Sequence, residues 1–239
     1  KEEERLAGIE RAFYLKELVQ QQQKQLPVSH AAQENCYKWA TEQNPLDGEA
    51  LFWVAYFRLQ RVKSESERLA HMVQSNEGGL RDSSWKEICQ CISDLEHAAN
   101  NLDPCQVRTL SYLASAYSFR WGFALEFFPE KLSVKLGFIE AEELQKASTV
   151  LKRALHLEQV YGMVFGTSQS NYNAPLYLAT ILIQLGGILL RQGQYSEAED
   201  YLKRINESTR ALEPSLRQGI LDDAAELLRE CSEVREASQ

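Results

Sequence analysis

Apolar residues recur along this chain at intervals of three and four, the spacing of one face of an α-helix, and strict alternation is hard to find. Leu6, Ile9 and Phe13, widened by Leu15, Leu18 and Val19, predict a first helix over 2–25, closed by Pro27. A second helix is expected over 29–43, with Ser29 as its N-cap. A third starts near residue 48 and meets no breaker before the loop Ser75-Asn76-Glu77-Gly78-Gly79. Ile88, Ile92, Leu95 and Ala99 mark a helix over 84–100, and Leu110, Leu113, Ala114 and Tyr117 mark the next. A helix over 140–161 leads into a loop holding Gly162, Gly166 and Asn173. Pro214 opens a last helix over about 214–236. Leu216, Ile220, Ala224, Leu227 and Cys231 line one of its faces, and Arg217, Asp222, Glu226 and Arg229 line another. The reading is an all-α chain forming a single helical domain over 1–239.

The stretch 179–210 carries the most specific pattern. Leu185-Gly186-x-x-Leu189, Gly193-x-Tyr195 and Ala198-x-x-x-Leu202 read as two short helices packed at close range, with Gly186 and Ala198 removing bulk and Gly193 breaking the chain between them. This resembles a tetratricopeptide repeat, a helix–turn–helix unit of about 34 residues. Leu182, Leu185, Gly186, Leu189, Ala198 and Leu202 fall on its signature positions, whereas Ile205 and Arg210 depart from them. The same register is found at two junctions. Tyr37, Ala40 and Pro45 lead without a gap to Leu51, Val54 and Ala55, where Arg58 then misses the expected Tyr. Ile92, Ala99 and Pro104 lead to Leu110, Leu113, Ala114 and Tyr117. Ala147, Leu151 and Ala154 fit the partner helix of that last unit, but 21 extra residues, about 118–138, precede it and include Trp121, Phe123, Phe127 and Phe128. The resemblance covers 33–210 in pieces and implies irregular helical hairpins in an α-solenoid, ended by a polar-faced capping helix at about 214–236.

The resemblance also implies a ligand face on the first helix of each hairpin. Its useful positions hold Phe52, Tyr56, Arg108, Ser111, Ser115, Ile183, Gly187 and Arg191. Some family members clamp a C-terminal carboxylate with a Lys and an Asn; Phe52/Tyr56, Ser111/Ser115 and Ile183/Gly187 do not supply that pair. An apolar or helical segment of a partner protein laid in a superhelical groove fits these residues better. In the aromatic insertion, Tyr117, Trp121 and Leu125 are expected to continue the core. Phe119, Phe123 and Phe127 are expected nearer the ligand face.

Composition narrows the chemistry. A net charge of −8 disfavours nucleic acid as a partner, and the clusters Arg61-Val62-Lys63 and Lys152-Arg153 read as solvated faces. Five cysteines without a disulfide spacing, Cys36, Cys89, Cys91, Cys105 and Cys231, point to a reducing, cytoplasmic compartment. Cys89 and Cys91 fall on nearly opposite helix faces and read as packing thiols, not metal ligands. The lead residues Lys-Glu-Glu-Glu-Arg are no secretory signal. The most apolar windows, 110–128 and 174–190, are not expected to span a membrane. No catalytic motif is found; His30, His71, His97 and His156 are scattered, and Glu140, Glu142 and Glu143 are explained by the positive end of a helix. The expectation is a protein-binding scaffold with no cofactor, no metal and no catalytic residue, able to form a homo-oligomer. A peptide-gated regulator hinged at 162–173 is the first alternative and an enzyme on a helical scaffold the second.

Overall fold

The computed structural model describes residues 30–71, 78–101, 106–128, 136–165 and 174–237. The first expected helix, over 2–25, and the Ser29 cap lie outside them. Every element among the described residues is a helix. In chain order these are α1 (His30–Gln43), α2 (Gly48–His71), α3 (Gly78–Asn101), α4 (Gln106–Phe127), α5 (Leu136–Phe165), α6 (Ala174–Arg191), α7 (Tyr195–Lys203), α8 (Ile205–Ser208) and α9 (Pro214–Ala237). Helices adjacent in sequence pack as neighbours: α1 on α2, α2 on α3, α5 on α6 and α6 on α7. The chain divides into two compact units, Lys1–Tyr112 and Leu113–Gln239.

In the first unit, the turn before α2 is built by side chains that the hydrophobic pattern does not weigh. Asp47 Oδ1 accepts from the Ala50 amide at 3.0 Å, the geometry of an N-cap, and its carbonyl accepts from the Leu51 amide at 3.0 Å. Tyr37 and Ala40 of α1 then bury themselves against Ala50, Val54 and Phe57 of α2. On the other side of α2, Ala55 lets α3 come close enough for the Cys91 thiol to donate to the Ala55 carbonyl at 3.3 Å. Ion pairs bind the helices further out. Arg61 reaches Glu34 of α1 and Glu87 of α3, each at 2.8 Å, and Arg58 pairs with Asp94. Burial would raise the Glu34 carboxyl, but hydrogen bonds from Lys38 and Arg61 and their charge hold it below its ordinary value. Arg61 is therefore a strut between helices, not part of the solvated face expected of it.

The second unit is organised around a close crossing at Gly186 in α6. A Cβ on Gly186 would meet Leu202 Cδ2 at 2.5 Å and Cγ at 2.6 Å, so α7 lies on α6 with no room for a methyl group. A Cβ on Gly187 would stand 3.8 Å from Leu227 of α9, an ordinary contact. The turn between α6 and α7 closes on Gly193, at φ +74, where other residues are strained. The amide of Gln194 donates to the Leu189 carbonyl at 2.9 Å and that of Gly193 to Leu190 at 3.0 Å, the paired bonds of a Schellman stop. α9 packs on α6 and α7 through Ile220, Ala224 and Cys231. Leu216, expected on that face, is 41% exposed, one turn too early in the helix to reach the contact.

Two helix boundaries differ from the sequence expectation. α3 begins at Gly78, absorbing the end of the expected loop, and Ser84, expected at the start of this helix, is buried inside it. α5 runs through Gly162 to Phe165, so Gly162 is helical; residues 166–173, the rest of the proposed hinge, lie outside the described set.

Gly186→Ala is expected to destabilise the protein although alanine favours helix by about 1 kcal/mol, because overpacking a crossing costs ~1–3 kcal/mol. Gly219→Ala in α9, where a Cβ meets nothing within 4 Å, is expected to stabilise it. Thermal melts of the two variants should shift in opposite directions, and Leu202→Ala should relieve part of the Gly186→Ala loss.

Candidate functional site

Aromatic residues one, three and four positions apart on α2 join Phe52, Trp53, Tyr56 and Phe57 into one cluster. Trp53 and Tyr56 meet at 5.5 Å and 82°, and Phe52 and Tyr56 at 6.3 Å and 28°. Tyr112 from α4 stands edge-on to Phe52 at 5.5 Å and to Tyr56 at 5.4 Å. Tyr37 of α1 stacks on Trp53 from behind at 5.8 Å. Phe52 is the closed floor of this cluster, 1% exposed, whereas Trp53, Tyr56 and Tyr112 are half-buried.

Arg108, one turn before Tyr112 on α4, lies across this cluster. Its guanidinium carbon is 4.2 Å from the Phe52 ring centroid and 5.1 Å from that of Trp53. A planar guanidinium over ring faces is attracted by their π charge and gives up little freedom to stay there. Arg108 also differs from the arginines beside it. Arg58 and Arg61 have carboxylate partners; Arg108 has none among the described residues. Its Nε is buried without a hydrogen-bond acceptor, as is the Trp53 indole Nε1. The site therefore combines half-open aromatic rings with a cation and donors that lack acceptors.

Of the residues expected at a ligand face, the structure thus brings Phe52, Tyr56 and Arg108 together, and Ser111 is buried on the same helix. Trp53 and Tyr112 complete the cluster and were missed. A sequence signal existed: Trp53 adjoins Phe52 and precedes Tyr56 by three residues, and Tyr112 follows Arg108 by four.

In the second unit Ser115 and Ile183 are half-buried and Arg191 is exposed, with its guanidinium carbon 5.9 Å from the Trp121 centroid. The rest of α4 carries the Phe ladder: Phe119 and Phe123 are 6.2 Å apart, and Phe123 and Phe127 are 4.6 Å apart. Burial does not separate the two expected stripes. Phe123 is 2% exposed and Leu125 is 38% exposed, the reverse of their expected places, while Trp121, Phe119 and Phe127 are half-buried. The reason is geometric. Residues spaced by four drift about 40° per step around an α-helix, so a stripe begun at Tyr117 has turned away by Leu125. Ala124 and Phe128, seven and eleven residues on, return to the side of Tyr117 and are buried. Arg120 donates to both oxygens of Glu143, one at 3.0 Å, and Lys146 pairs with Glu142 at 2.7 Å. These acids sit more than one turn inside α5, so ion pairing accounts for them and the helix terminus does not.

Among the described residues, no group of three His, Cys, Asp or Glu side chains could hold a metal ion, and no helix is long and apolar enough to cross a membrane. His97 and His156 are exposed. Cys91 is buried and Cys89 half-buried; Cys105 lies outside the described residues. No protein-family model matches the sequence, and no curated protein matches it.

Two expectations follow. Burial raises the Cys91 thiol from 9.0 to about 12. Above pH 9 the unfolded chain releases this proton while the folded chain keeps it, so Cys91 contributes a loss of stability as pH rises from about 9 to 12, about 1.4 kcal/mol per unit. Comparing denaturant midpoints of the parent and Cys91→Ala across that range isolates the slope, and thiol labelling should reach Cys89 before Cys91. For the Phe ladder, Phe123→Ala is expected to destabilise the isolated protein by ~3–5 kcal/mol. Leu125→Ala should stay within about 0.5 kcal/mol of the parent; equal losses in denaturant melts would contradict this placement.

Proposed function

We propose that this chain is a non-enzymatic, tetratricopeptide-like module that holds an apolar or helical segment of another protein. The observation that carries the proposal is the cluster Trp53, Tyr56 and Tyr112 with Arg108 across it: half-open aromatics on two rigid helices, in the residue types that dominate binding hot spots. Supporting the repeat reading, glycine at 186 meets Leu202 of the next helix, and Ala55 admits the Cys91 thiol in the same way. On this reading α9, which packs on α6 and α7 and leaves Asp222, Asp223, Glu226, Arg229 and Glu230 exposed, is the capping helix. Thiols at Cys36, Cys89, Cys91 and Cys231 support a reducing compartment such as the cytoplasm.

Site-specific photocrosslinking in the source cells tests this. A benzophenone amino acid at Tyr56 or at Tyr112 should trap one and the same protein through one contiguous segment. The same probe at exposed Asp223 of α9 should not trap it. Equal trapping at all three positions, or none at the first two, would contradict the proposal.

A further inference from the structure

We infer that the Arg108 site reads a single side-chain carboxylate, Asp or Glu, in the bound segment, with an apolar side chain beside it seated against Tyr56 and Tyr112. This rests on the reading of the chain as a peptide-holding module and specifies what the peptide must carry.

The argument starts from unequal treatment of three arginines in one unit. Arg58 is bonded to Asp94, and Arg61 to Glu34 and Glu87. Arg108 has ring faces beneath it and no anion among the described residues. Ring faces attract the charge but accept only weak hydrogen bonds, so the guanidinium retains its donors. Nε is the one Arg108 nitrogen that is both buried and without an acceptor. No described residue accepts from its two terminal nitrogens, and Arg108 as a whole is half-buried, so the forked edge is the part of the group left for an incoming ligand. A guanidinium fork matches the two oxygens of a carboxylate, and the contact with the Phe52 ring, 4.2 Å from guanidinium carbon to centroid, restrains the group before any ligand arrives.

Charge limits the occupant further. With a net charge of −8, long-range forces repel a strongly acidic partner or a second copy of this chain. The attraction has to be short-range and local: one carboxylate at the Arg108 fork, with the remaining contact apolar. Tyr56 and Tyr112, half-buried and edge-on to each other at 5.4 Å, supply the apolar wall.

The test is a display library of random twelve-residue peptides with blocked C-termini, panned on the intact protein and on Arg108→Gln, Arg108→Lys and Tyr56→Ala, each first checked for an unchanged helical spectrum. The parent should enrich peptides with Asp or Glu next to a Leu or aromatic residue. Synthetic peptides of that consensus should lose about ten-fold or more in affinity for Arg108→Gln. They should lose less for Arg108→Lys, which keeps the charge without the fork, and a like amount when the acid is replaced by its amide. Enrichment with no acidic position, yet lost in Tyr56→Ala, would overturn the carboxylate inference and leave the peptide-holding function standing. An acidic preference unchanged in Arg108→Gln would also overturn the inference. No enrichment, or enrichment indifferent to both sites, would overturn inference and function together.

Discussion

The packing of this molecule depends on where helices can approach without a side chain between them. At Gly186 a Cβ would stand 2.5 Å from the Leu202 side chain, closer than Cβ atoms approach their neighbours, so the α6–α7 crossing keeps this spacing because residue 186 has no Cβ. Gly187, about 100° further round the helix, leaves an adjacent face of α6 low, and α9 places Leu227 there. Only the first of these approaches needs a glycine: a Cβ at 187 would stand 3.8 Å from Leu227, an ordinary contact. The cost of Gly186 in helix propensity, about 1 kcal/mol, is offset by the apolar contact it permits, since burying one leucine contributes roughly 1.5–3 kcal/mol. In α2 the same task falls to Ala55, where the close neighbour is a thiol whose proton the backbone carbonyl accepts.

The helices and most of their buried faces were legible because burial imposes the 3.6-residue period on the sequence. Leu185, Leu189, Ala198 and Leu202 are all covered, as the pattern requires. Helix ends were less legible. Gly78 and Gly162 read as breakers, yet a penalty near 1 kcal/mol is easily exceeded when flanking turns are held by packing. The Asp47 cap was legible in principle, a short acceptor three residues before Ala50, the first apolar residue of the helix, but hydrophobic spacing alone passes over it.

The site was only partly legible, for a different reason. Phe52, Tyr56 and Arg108 were selected by their place in a repeat pattern, which says which way a helix face points and nothing about how rings pack. Phe52 proved to be the covered floor of the cluster, and Trp53 and Tyr112 its open parts. The contact that joins Arg108 to Phe52 spans 56 residues of sequence, and no local period encodes it. In the Phe ladder, spacing by four was followed as a straight stripe although the helix turns it by about 40° at each step.

The donors at the aromatic cluster give the site its physical asymmetry. A buried donor without an acceptor costs about 1–3 kcal/mol, and the cluster holds two, on Trp53 and Arg108. A cluster whose only task was to hold α2 against α4 would be more stable with both removed. The rings already hold the helices: Tyr112 meets Phe52 and Tyr56 edge to face without using either donor. An acceptor arriving from outside meets the terminal nitrogens of Arg108, whose guanidinium carbon already stands 4.2 Å from the Phe52 ring centroid, so little ordering is left to be done. On the proposed function, the complex forms at the outer end of Arg108 and the half-buried rings beside it, while the two enclosed donors hold the guanidinium and the indole in a setting that packing alone does not require.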